Sequence, residues 1–146
     1  MAQKINQLSK FVQFYVLASD TYGSATKQFQ GINCTVLNLS TIDQPLNKLA
    51  YLNHLGANTT LSVGNGFNDK EMLKHSVLGI ALLQEKGLYT QTLMTSDIVC
   101  TDIWDVLNYL EKPNRLKATL KEAAISIVTF FRGSLNCPEF NPFNCI

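Results

Sequence analysis

Gly64-Asn65-Gly66-Phe67-Asn68-Asp69 decides how this chain is read. Before it comes Thr60-Leu61-Ser62-Val63, a short strand pattern. After it come a polar helical turn, Lys70 to His75, and a second apolar run, Leu78-Gly79-Ile80-Ala81-Leu82-Leu83. A strand that runs into a glycine-flanked Asn/Asp loop and then a helix puts amide and acidic groups at the carboxyl edge of a parallel sheet. Ligands of α/β proteins bind in that crevice. Backbone N–H groups at a helix start favour anions. The Asp69 carboxylate favours a hard cation such as Mg²⁺, which takes one or two carboxylates with phosphate oxygens and water.

The chain around this loop has the size and composition of one domain. Its 146 residues are 46% hydrophobic and 16% charged, enough to bury a core. A formal net charge of +1 makes no electrostatic case for nucleic acid or an anionic membrane. Cys34, Cys100, Cys137 and Cys145 form no C-x-x-C pair, and His54 and His75 lie in unrelated segments, so the spacing offers no zinc site. Cys34 and Cys100 fall in strand-like runs and read as buried thiols, whereas the tail pair could oxidise. Met1 to Ile5 lacks the apolar run of a signal peptide. The densest apolar stretch, Ala123 to Phe131, is far shorter than the roughly 20 residues of a spanning helix. A cytoplasmic protein is the expectation.

Strands alternate with helices along the chain. Ile5, Leu8 and Phe11 have helical spacing, Val12 to Leu17 reads as a strand, and Tyr22 to Phe29 as a short helix closed by Gly31. Cys34 to Leu39 is the second strand. Ser40 to Asp43 offers a helix cap with Pro45 in the first turn, and Leu46, Leu49, Leu52 and Leu55 point inward up to Gly56. Thr59 to Val63, Leu78 to Leu83 and Ser96 to Cys100 supply three more strands. Thr101 or Asp102 caps a helix carrying Ile103, Val106, Leu107 and Leu110. Pro113 interrupts, a helix from Leu116 to about Phe131 follows, and Asn136 to Ile146 reads as irregular. The pattern predicts a mostly parallel sheet covered on both faces.

Hydroxyl, lysine and Asn/Asp loop all fall at strand ends or at the start of a helix. Each has a bland alternative: Asn and Asp satisfying loop N–H groups, a solvated lysine at Lys48, a capped turn at Ser19-Asp20. In their chain order they resemble a family. Gly64 to Leu73 followed by Leu78-Gly79-Ile80-Ala81 resembles the G-(D/N)-G-x-N-D motif of the haloacid-dehalogenase-like (HAD-like) hydrolase superfamily. The resemblance is to its small soluble members similar to the phosphorylation domain of P-type ATPases. Val16 to Gly23 resembles the family's strand ending in a hydroxyl, and Asn47-Lys48-Leu49-Ala50-Tyr51-Leu52 its lysine motif. Asp97-Ile98-Val99 and Lys112 to Leu120 resemble its closing segment.

The resemblance implies a three-layer Rossmannoid sheet and Mg²⁺-dependent phosphoryl transfer through an aspartyl-phosphate, with a small phosphorylated molecule as substrate. By position it makes Lys48 the phosphate-binding lysine and Asp69 a catalytic and metal-site carboxylate. Asn65 becomes a metal ligand that contributes oxygen without charge, and Asn68 a loop or phosphate residue. Ser19 supplies the hydroxyl, one place after Ala18, where the family has it.

The nucleophile motif (Asp, any residue, Asp or Asn, Gly, Thr or Ser) does not occur before Val12, and the first aspartate is Asp20. The resemblance therefore implies an N-terminally truncated core over 1–122, lacking its central first strand, and a C-terminal helical extension and tail over 123–146. Strands ending at Leu17 and Val63 would face each other across a gap, and such edges seek partners. A longer start, a degenerate gene, a strand-supplying partner and closure of the two edges all remain open, as does self-association through the apolar 123–131 segment. The functional expectation is a HAD-like phosphatase inactive without a nucleophile. Its rival is a non-catalytic remnant that binds Mg²⁺ or phosphate, or pairs with a partner. A nucleotide loop is weaker, because Asp69 breaks the G-x-G-x-x-G spacing.

Overall fold

The computed structural model describes residues 1–18, 24–39, 43–120 and 143–145. Strands β1 (Val12–Ala18), β2 (Thr35–Asn38), β3 (Thr60–Gly64), β4 (Leu78–Leu82), β5 (Ile98–Cys100) and β6 (Phe143–Cys145) form one sheet in the order β2-β1-β6-β3-β4-β5. Every pairing is parallel. Helices α1 (Ala2–Leu8), α2 (Ser24–Gln28), α3 (Gln44–Leu55), α4 (Lys70–His75), α5 (Thr90–Thr95), α6 (Ile103–Glu111) and α7 (Asn114–Leu120) make the connections. The expected parallel α/β sheet is present.

Period-two alternation sends side chains to two separate cores. On one face Phe14, Leu61, Leu78, Ile80, Leu82 and Ile98 pack with Ile5 and Leu8 of α1, Val106, Leu107 and Leu110 of α6, and Leu116 of α7. On the other face Ala81 packs with Leu52 of α3 and Met72 and Leu73 of α4, joined by Tyr15 and Leu17 of β1. All five residues of β4 are buried, as a strand covered on both sides requires. Gly79 shows how close that cover is: a Cβ there would lie 2.3 Å from the Leu73 carbonyl oxygen.

Several expectations need correction. Phe11 is 52% exposed, because α1 stops at Leu8 and the chain turns through Ser9 to Phe11 before β1 starts. Leu46 is 62% exposed rather than inward, because the first turn of α3 lies over the Gly64–Asp69 loop and has no sheet beneath it. The Asp43 carboxylate does not cap α3; its backbone takes the left-handed conformation (φ 51°), which Asp tolerates better than most residues. Asp102 does cap α6, accepting from the Trp104 amide at 2.9 Å.

The largest correction concerns the tail. Phe143–Cys145, read as irregular, is a strand in the middle of the sheet, paired with Val12–Phe14 on one side and Thr60–Leu61 on the other. The expected gap between β1 and β3 is thus filled by the same chain. Three residues among prolines and asparagines are too few to show a period, so the pattern hid them. The sequence-derived extension of α7 to Phe131 lies outside the described residues. Among the described residues no helix is long and apolar enough to cross a membrane.

Candidate functional site

Strand order reverses between β1 and β3: from β1 the chain moves outward to β2, and from β3 it moves the other way through β4 to β5. Such a reversal opens a crevice at the carboxyl ends of the strands, where open α/β sheets place their sites. β3 ends there at Gly64, and the chain continues through one 3₁₀ turn, Phe67–Asp69, into α4. A glycine is required at position 64, since a Cβ would stand 2.4 Å from both Cβ and Cγ of Asp69. The side chain of Asp69 folds back over the strand end.

There its carboxylate accepts three hydrogen bonds. Oδ2 accepts from the backbone amides of Asn65 and Gly66, each at 2.9 Å, and Oδ1 accepts from Nζ of Lys48 at 2.6 Å. Both side chains are largely buried, 10% exposed for Asp69 and 13% for Lys48. Helix α3 delivers Lys48 because its first turn also docks on the loop, where the Asn68 amide donates to Oε1 of Gln44. Lys48 of α3 and Asn68 and Asp69 of the loop therefore meet in one corner. Asn65 shares the loop, but its side-chain amide donates to Gln84 at 3.1 Å. Ser19 and Asp20 lie outside the described residues. His54 and His75 are exposed.

Three supports carried no usable signal in the sequence. Thr92, wholly buried, donates from its hydroxyl to the Gly66 carbonyl at 2.8 Å, and the Tyr89 amide donates to the Asn65 carbonyl at 2.9 Å. Phe67 and Tyr89 meet edge to face with centroids 5.5 Å apart and form an exposed aromatic rim beside the loop. None of these contacts could be inferred from spacing, because each joins the loop to a segment beyond the next strand. Ser62, two residues before Gly64, is fully buried, and its hydroxyl has no hydrogen-bond partner among the described residues. Asp97, quoted above as part of a closing motif, accepts the Gly79 amide at 2.8 Å and aligns β4 with β5.

The corner suits an oxyanion better than a resident metal. A lysine ammonium has three protons, and Asp69 uses one of them, leaving donors for phosphate oxygens. The one carboxylate already accepts from a cation and two N–H groups. Among the described residues no group of three His, Cys, Asp or Glu side chains comes together. A Mg²⁺ ion coordinated by Oδ1 of Asp69 would compete with the Lys48 ammonium for that oxygen.

Fold and corner together define a parallel α/β protein with a buried Lys–Asp pair at its switch point. Neither a protein-family model nor a solved structure matches the chain. A stretch of 62 residues is 44% identical to uncharacterized protein MJ0073 of Methanocaldococcus jannaschii, spanning 42% of this chain and 67% of that protein. The chain belongs to one family with that archaeal protein.

Proposed function

We propose that the chain is a HAD-like phosphohydrolase-class domain that binds a phosphate group at Lys48 and Asn68 and does not itself form an aspartyl-phosphate. The observation that carries this reading is the Lys48–Asp69 pair, 2.6 Å apart on a glycine-gated loop at the carboxyl edge of a parallel sheet. The order of motifs along the sequence supports the family; the corner geometry supports the phosphate. Against turnover stands the central strand β6, Phe143-Asn144-Cys145, which brings no carboxylate to the place between β1 and β3. Loss of a nucleophile ordinarily costs several orders of magnitude in rate. Mg²⁺ belongs to the family expectation.

Calorimetric titration of the full chain with inorganic phosphate, with and without Mg²⁺, tests the proposal. Saturable binding is expected. Lys48→Met should weaken it about tenfold or more, the equivalent of losing a charge-assisted hydrogen bond of roughly 1.5 kcal/mol. Turnover of an aryl phosphate should not exceed the protein-free rate. If the folded chain takes up no phosphate, the pair is only a latch that closes the loop, and the proposal falls. Mg²⁺-dependent hydrolysis that disappears in Asp69→Ala would overturn the non-catalytic half of it.

A further inference from the structure

A strand that is last in sequence and central in the sheet is an unusual arrangement, and it bears on how copies of this chain meet. β6 is the sole hydrogen-bonded link among the described strands between the β2-β1 pair and the β3-β4-β5 triplet. Its ladder is brief, three register partners on β1 and two on β3. Beyond it, Tyr15–Ala18 of β1 and Ser62–Gly64 of β3 have no partner on their facing edges among the described residues. The edges of β1 and β3 are therefore a template for a parallel strand that the chain's own tail covers only in part.

We propose that the tail strand is exchanged between two copies of this chain, each Phe143–Cys145 segment inserting between β1 and β3 of the other. The occupant commits itself on three grounds. The strand is joined to α7 through residues 121–142, long enough in sequence to leave one sheet and enter another. In sequence that connection carries Ile125, Ile127, Val128, Phe130 and Phe131, an apolar composition suited to burial against a second copy. Exchange also recreates every β6 hydrogen bond while sparing each copy the entropic cost of closing residues 121–142 back onto so short a ladder, which is why swapped elements form dimers at low cost.

Light scattering on full-length protein after gel filtration, from low micromolar to several hundred micromolar, should show a dimer that grows with concentration. Asn144→Pro, which removes a ladder donor from the middle of β6, should abolish it. The arrangement is then fixed with Gln13→Cys/Asn144→Cys, a pair in register across β1 and β6, made with the four native cysteines replaced by serine. Oxidation of the dimer fraction should yield covalent dimers on a non-reducing gel. A chain that stays monomeric throughout the range overturns the proposal. So does a dimer fraction whose new disulfide is wholly within single chains. Because the light-scattering arm uses the unaltered protein, a variant that fails to fold leaves the proposal open to refutation.

Discussion

The carboxylate of Asp69 accepts from an ammonium and two backbone amides while almost out of contact with water, so its removal strands a buried lysine and reopens the loop. Asp69→Ala should lower unfolding free energy by about 3 kcal/mol, measured by urea titration. Lys48→Met should cost less, since Asp69 keeps its two N–H donors. Equal losses would mean that the loop amides contribute nothing. Gly64→Ala should lose roughly 1–3 kcal/mol to overlap with Asp69. Cys100 titrates on the alkaline side. Burial, then the Asp105 charge, push its thiol up, against a smaller opposing hydrogen bond with Tyr109. A raised folded value means its contribution is complete below the unfolded thiol value of about 8.5 and fades as pH rises through the folded value. Stability of the native chain should therefore fall more steeply above that pH than that of Cys100→Ala. Parallel alkaline limbs would refute the assignment.

At the scale of elements, α3 tests how far a helical pattern alone can be trusted. Leu46 and Leu52 look equivalent in the repeat of leucines, yet one is 62% exposed and the other wholly buried. Leu46→Ser should change stability by no more than about 0.5 kcal/mol, whereas Leu52→Ala should cost about 2–5 kcal/mol. Comparable losses at the two positions would contradict the docking of the first turn of α3 on the loop. The contact of α4 with β4 is equally specific, because Gly79 leaves no room for a methyl group under the Leu73 carbonyl. Gly79→Ala should separate helix from strand and, since α4 follows directly on Asp69, should also weaken the phosphate binding proposed for this chain along with stability.

Across the whole molecule, α1 and α6 cover the same face of the sheet and are tied by Lys4 Nζ and Glu111 Oε2 at 2.6 Å. The hydrogen bond from Lys4 holds the Glu111 carboxyl below its usual range. A depressed value gives a contribution present above the ordinary carboxylate value of about 4.3 and lost as pH falls through the folded one. Glu111→Gln should flatten that acid limb, and high salt should mute the difference because Glu111 is exposed. Alternation, glycine punctuation and the Asn/Asp loop made the parallel sheet, five of its strands and the Asp69 loop legible in advance, since local chemistry sets these, whereas Lys48 was singled out by the family resemblance. What stayed hidden has a common cause. The exposure of Leu46, the support from Thr92 and the insertion of Phe143–Cys145 between β1 and β3 depend on which distant segment arrives beside them, and no local period encodes that. The sequence by itself determined a loop able to hold a charge at a strand end. Only the tertiary structure decided that Lys48 fills that charge, and that the sheet closes around the last strand of the chain, because both rest on contacts between segments far apart in sequence.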